Sequence, residues 1–131
     1  VSERLRKLCP EGIDVFFDLV GGELLQTASE QLATGARVIL CGLMSEYNKD
    51  TRSGGPAPGL WIKARAIVYG LVVYDFEPRR SEFINHCIPL VVNGELKIKE
   101  DVTEGLETAP ESFCRLMRGE NFGKALVRMC S

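Results

Sequence analysis

Short apolar, β-branched runs alternate along this chain with segments whose apolar positions recur at helical spacing, and the alternation predicts its elements. Residues 13–17, IDVFF, form a compact β run that ends at Asp18 and is followed by the pair Gly21-Gly22. Residues 23–34 place Leu24, Leu25, Ala28, Leu32 and Ala33 close to helical spacing, with Glu23 in the first turn, where a carboxylate favours the helix dipole, and Gly35 as the C-terminal stop. Residues 37–40 form a second β run that breaks off at Cys41-Gly42. Strand, helix and strand within about thirty residues predict parallel strands joined by a right-handed crossover.

The same pattern extends in both directions. Residues 3–8 are charged and short, the last turn of a helix broken by Pro10, Glu11 and Gly12. After a Gly/Pro-rich loop at 49–59, residues 60–65 predict a short helix with Trp61 on its apolar side. Residues 66–74, AIVYGLVVY, predict a third strand, apolar almost throughout as a covered strand would be. Residues 78–93 predict a helix with Phe83, Ile84, Cys87, Leu90 and Val91 on one face and a kink at Pro89. The pattern changes character at Asn93-Gly94. Residues 96–102, LKIKEDV, alternate apolar and charged positions, as in a strand wet on one face. Thr108 and Glu111 have capping-box spacing at the head of a helix running to Arg118, with Pro110 near its start, and residues 123–129 predict a last strand. The domain division expected from this change is 1–93 and 94–131.

The segment 35–48, GARVILCGLMSEYN, is the candidate site. In open α/β sheets, ligands sit beyond the carboxyl ends of the strands. The polar loop after residue 40 carries one aromatic, Tyr47, and at Gly42 the absence of a side chain would let a flat ligand approach the backbone.

Composition narrows the functions available. At 131 residues, 45% hydrophobic and 26% charged, the chain suits one soluble globular domain burying roughly two-thirds of its unfolded surface. The net charge of −2 and the lack of a basic stripe argue against nucleic acid or an acidic membrane surface as partner. No apolar run approaches the roughly 20 residues that span a bilayer, and no apolar core follows the charged start, as a signal peptide would require. Five widely spaced cysteines without C-x-x-C suit a reducing, cytoplasmic setting, and with one histidine, His86, no metal site is expected. The opening on Val1, in what reads as the tail of a helix, suggests a piece of a longer protein.

Three stretches, in order and at matching spacing, carry a resemblance: FFDLVGGE (16–23), VILCGLMSEYN (38–48) and LKIKEDVTEGLETAPESFCRLMRGENFGKALV (96–127). Together they resemble the C-terminal part of the zinc-independent medium-chain dehydrogenases/reductases, in the leukotriene B4 dehydrogenase/prostaglandin reductase group of NADPH-dependent alkenal and enone reductases. The resemblance implies an α/β fold: the second half of a doubly wound Rossmann-type parallel sheet, then a strand-helix-strand segment that belongs to the catalytic domain. The glycine-rich phosphate-binding turn of the family is absent, since no G-x-G-x-x-G occurs.

What the resemblance implies for chemistry is reduction of the C=C bond of an α,β-unsaturated ketone or aldehyde, with hydride from NADP(H) delivered to the β-carbon and the enolate then protonated. Cys41, Gly42, Leu43, Met44 and Ser45 would pass beneath the nicotinamide ribose, and the Tyr47 hydroxyl would hold it. A phenol suits that role because its ring packs while its hydroxyl donates or accepts. Leu71, Val72 and Val73 would form a strand end whose backbone meets the carboxamide, and Asn121 in GENFGK would contact the cofactor. The family motif F-D-N-V-G-G has its asparagine where this chain has Leu19, which loses one polar contact with a net value of about 1 kcal/mol. The family also implies a homodimer through the edge strand at 67–73. A quinone oxidoreductase of the same plan and a non-catalytic Rossmann-like binding or dimerisation module remain as alternatives. On its own the chain is expected to lack turnover.

Overall fold

Backbone geometry at a few glycines decides where the predicted elements begin and end. A computed structural model describes residues 2–51 and 54–129; residues 52–53 of the Gly/Pro-rich loop, and Cys130, lie outside them. The chain forms two compact units, Val1–Glu77 and Pro78–Ser131. The sequence pattern changes sixteen residues later, at Asn93-Gly94, so compactness groups the long helix with the C-terminal elements and composition groups it with the N-terminal ones.

The first unit contains α1 (Ser2–Leu8), β1 (Ile13–Asp18), α2 (Gly22–Ser29), β2 (Leu32–Leu40), α3 (Pro58–Ala64) and β3 (Ile67–Gly70). The three strands form one parallel sheet in the order β1-β2-β3, with Phe16 opposite Val38 and Val38 opposite Val68. The parallel α/β topology is the one expected. The helix α2 is shorter than its spacing predicted: it stops at Ser29, and Leu32 and Ala33 belong to β2. The cause is a long-range contact. Ile13 N donates to Gln31 O, and Gly12 lies so close that a Cβ on it would sit 2.7 Å from Ala33 N. Chain 31–33 is thereby drawn against β1 instead of extending the helix. Gly35 then does not end a helix; it sits inside β2 at φ +79°, where the pairing with β1 slips between Ile13 and Val15.

The core lies between the sheet and α2 and α3. Ala36 and Val38 point to one face of β2 and are buried with Leu25 and Ala28 of α2 and Ala64 of α3. Trp61 Nε1 donates to the buried Ser29 Oγ at 3.2 Å, tying α3 to the end of α2. On the opposite face Val15 and Phe17 of β1 and Ile67 and Tyr69 of β3 are exposed. The third strand is therefore not covered as its composition predicted, and it ends at Gly70; Val73–Arg79 form a 3₁₀ turn.

The second unit contains α4 (Arg80–Val92), β4 (Glu100–Glu104), α5 (Ala109–Arg118) and β5 (Lys124–Arg128). The strands β4 and β5 pair in parallel, Glu100 opposite Lys124. The strand β4 starts four residues later than the alternation at 96–102 predicted, because Leu96 N donates to Leu90 O and folds the chain back on the end of α4. Pro89 lies inside α4 as expected. The capping box does not form. Thr108 turns its hydroxyl back to Gly105 O at 2.7 Å, and Glu111 instead pairs with Arg118 at 3.0 Å.

Candidate functional site

The carboxyl ends of β1 and β2 are joined through Asp18. This residue is 1% exposed, and its carboxylate accepts the N–H of Val20 at 2.8 Å and of Gly21 at 3.1 Å. An acceptor with several lone pairs is needed there because the chain turns sharply and its N–H groups lose strand partners. The Asp18 carbonyl takes the N–H of Cys41 (2.8 Å) and Gly42 (3.3 Å), and the bonding continues with Met44 N to Leu19 O and Ser45 N to Val20 O, both 3.0 Å. The loop after β2 is thus laid along the turn after β1. The glycine pair makes this contact possible. Gly21 and Gly22 have φ of +72° and +56°, and a Cβ on them would sit 2.6 Å from Leu43 Cδ2 and 2.7 Å from Ser45 Oγ.

Residues 44–46 form a 3₁₀ turn that presents Tyr47. Its ring is largely exposed and borders a cleft of about 380 Å³ lined by Gly42, Leu43, Glu46, Tyr47 and Lys49. Leu43 N donates to the Tyr47 hydroxyl at 3.4 Å, so the phenol oxygen accepts from its own loop, and a phenol that accepts can also donate. Gly42 lines the cleft, but the space its side chain would fill is occupied by Leu19 O (3.2 Å) and Tyr47 Oη (3.3 Å). A side chain there would also press on the loop's own packing. Leu19 lies here too, with Cδ2 3.5 Å from that position, so an apolar group stands beside Gly42.

Of the other residues singled out in the sequence, Leu71 reaches this end of the sheet: its N–H donates to Leu40 O at 2.9 Å. Val72 and Val73 are not the end of a strand; β3 stops at Gly70, and both side chains are exposed, Val73 at the start of the following 3₁₀ turn and Val72 just before it. Asn121 belongs to the second unit. Its Nδ2 donates to Gly123 O at 2.8 Å, within a turn held by Asp101, whose carboxylate accepts Phe122 N at 3.1 Å and faces Arg115 at 3.4 Å.

Three residues at the first unit's site were not singled out in the sequence: Asp18, Glu46 and Lys49. Asp18 accepts from Val20 two residues on, the Asx-turn spacing, and stands just before the Gly21-Gly22 pair, a combination that marks it in retrospect. Glu46 and Lys49 form an ion pair at 3.0 Å, and their i,i+3 spacing in a polar loop resembles any solvated charge pair. Clear shifts of titration are found on the surface of the second unit. A hydrogen bond from Arg79 holds the Glu82 carboxyl below the usual range, and one from Arg118 does the same to Glu120. Among the described residues no three His, Cys, Asp or Glu side chains gather to hold a metal ion, and no helix is long and apolar enough to cross a membrane.

Comparison with known proteins gives this geometry a context. A family described as zinc-binding dehydrogenase matches residues 1–127. The described residues do not supply the donor set such a name implies. The chain is 37% identical to prostaglandin reductase 1 of Bos taurus over 130 residues and 36% identical to the NADPH-dependent curcumin reductase of Escherichia coli over 134 residues. Each alignment covers 98% of this chain, and 40% and 39% of those proteins, respectively. Among solved structures it superposes on CurA of Vibrio vulnificus in complex with NADPH with a TM-score of 0.86 at 34% identity, over 99% of this chain and 40% of that one. The chain therefore spans about two-fifths of the length of the relatives it matches.

Proposed function

The chain belongs to the zinc-binding dehydrogenase family of the medium-chain reductases, and from that membership we propose that it forms one wall of the nicotinamide site in an NADPH-dependent reductase of α,β-unsaturated ketones and aldehydes. The observation that carries this is the placement of the exposed Tyr47 phenol beyond the carboxyl end of the central strand of a parallel sheet.

In this reading Tyr47 donates to the nicotinamide ribose, and the stretch formed by Cys41, Gly42, Leu43, Met44 and Ser45 supports the sugar from below. The backbone after β3, at Leu71, Val72 and Val73, meets the carboxamide, and Asn121 adds a contact from the segment 94–131, which belongs to the catalytic domain, while 1–93 belong to the nucleotide-binding domain. Leu19 offers only packing where relatives of the F-D-N-V-G-G type offer an amide. NADPH, when bound, supplies the hydride; these residues orient it and exclude water. The open edge of β3, with Ile67 and Tyr69 exposed, pairs with a second copy in a homodimer, and the enzyme works in the cytoplasm.

The test is equilibrium binding of NADPH and NADH to the chain and to Tyr47→Phe, alongside an assay of enone reduction. Binding that weakens about tenfold in the variant, without enone turnover by the 131-residue chain, is expected. Equal affinity in the two, or turnover by this chain, would contradict the assignment of the site.

A further inference from the structure

Glu46 is a buried carboxylate on a loop whose next residue is open to solvent: its side chain is 7% exposed, while Tyr47 is 67% exposed. The Glu46 Oε1 accepts from Lys49 Nζ at 3.0 Å and from Ser45 Oγ at 3.3 Å. The Glu46 carbonyl also accepts the N–H of Lys49 at 3.3 Å. Residues 46 and 49 are therefore joined twice, by main chain and by side chain, and Tyr47 lies inside the bracket so formed. The carboxylate is seated against the first turn of α2, where a Cβ on Gly22 would lie 3.2 Å from Oε1. Unpaired N–H groups at a helix start favour a negative charge in that place. A carboxylate that loses water in this way keeps its position only while its charge is met, and Lys49 is one group that meets it, from the exposed side.

We propose that Glu46, locked by Lys49, is the positioning residue that fixes Tyr47 on the wall of the cleft. The assignment rests on the proposed function only for what Tyr47 touches; the lock itself is a property of the ligand-free loop. Glu46 acts through the 3₁₀ turn. With the charge removed, the turn frays, the bond from Leu43 N to the phenol oxygen is lost, and the hydroxyl no longer waits in one direction.

The experiment is amide hydrogen exchange on the ligand-free chain for wild type, E46Q, K49M and the double variant, with thermal unfolding recorded for each. Exchange at the amides of Glu46, Tyr47 and Lys49 is expected to become about tenfold faster in E46Q and to rise by less in K49M, with β1 and β2 unchanged. The double variant is expected to be no faster than E46Q, because K49M then removes a partner of a charge already gone. Wild-type exchange at these amides in E46Q, or faster exchange throughout the sheet with a matching fall in the melting temperature, would overturn the lock. The same four proteins are then titrated with NADPH. Weaker binding by E46Q at an unchanged melting temperature supports positioning, which a merely structural role would not produce, and equal binding by wild type and E46Q overturns it. Failure of the wild type to bind NADPH would count against the proposed function alone, because the exchange data decide the lock without a ligand.

Discussion

The two units hold their loops in different ways. All the buried hydrophobic side chains among the described residues, Leu25, Ala28, Ala36, Val38 and Ala64, lie in the first unit, and the second buries only Ser112. The loop that carries Tyr47 is strapped to a turn built on the fully buried Asp18. The turn that carries Asn121 is held by partly exposed contacts: Asp101 to Phe122 N and Arg115, and Lys99 stacked 4.8 Å over the Phe122 ring. A buried carboxylate with several donors fixes a loop through the cost of leaving it unsatisfied, whereas exposed ion pairs and cation–π contacts exchange with water at little cost. The first loop should therefore be set by the fold and the second should respond to conditions.

The largest effect that would break this contrast is expected at Asp18. Asp18→Ala removes the acceptor from the N–H groups of Val20 and Gly21 and should cost about 3 kcal/mol in urea unfolding, with Asp18→Asn intermediate. A loss below about 0.5 kcal/mol would place Asp18 with the surface charges. Next comes Val38→Ala at the centre of the sheet, worth about 2 kcal/mol, against about 0.5 kcal/mol for Phe113→Ala on the exposed side of α5. Comparable losses at the two positions would show that the second unit has a core of its own. Asp101→Asn should cost less than about 1 kcal/mol, and raised salt should weaken the wild-type contact with Arg115 and so narrow the difference from the variant. A loss independent of salt would make Asp101 an anchor like Asp18.

The smallest effect is a titration. Hydrogen bonding from Arg118 holds the Glu120 carboxyl below its ordinary value, so whatever stability the pair adds is present above that ordinary value and is lost as pH falls through the lowered one. Arg118→Gln should move the Glu120 midpoint back up to the ordinary range in a carbon-detected NMR titration. An unmoved midpoint would assign the shift to another neighbour.

Much of this was legible in the sequence, and the failures share a cause. The order of strands and their parallel pairing followed from apolar runs separated by a helical stretch, because burial between layers selects that composition. Leu32 and Ala33 kept helical spacing yet joined β2, since the contact of Gly12 with Ala33 links residues far apart in the chain and leaves no local trace. The start of β4 was misplaced for a similar reason: the Leu96–Leu90 bond competes with strand pairing that the alternation alone cannot weigh. Thr108 and Glu111 had the right spacing for a cap, but Gly105 O offered the threonine hydroxyl a nearer partner. The strand composition of residues 66–74 predicted cover on both faces, whereas Ile67 and Tyr69 stand open. At the site, Tyr47 was visible as an aromatic in a polar loop after a strand. Glu46 and Lys49 were not, because nothing in two opposite charges three apart tells a pair with one buried member from a fully solvated one.

The central claim is that the loop after the central strand faces a nicotinamide nucleotide, and amide chemical-shift mapping of the isotopically labelled chain during titration with NADPH tests it most directly. The account predicts saturable shifts concentrated at Gly42, Leu43, Tyr47 and Leu71 and weakened in Tyr47→Phe. Shifts that leave this loop untouched and gather on another surface would contradict it.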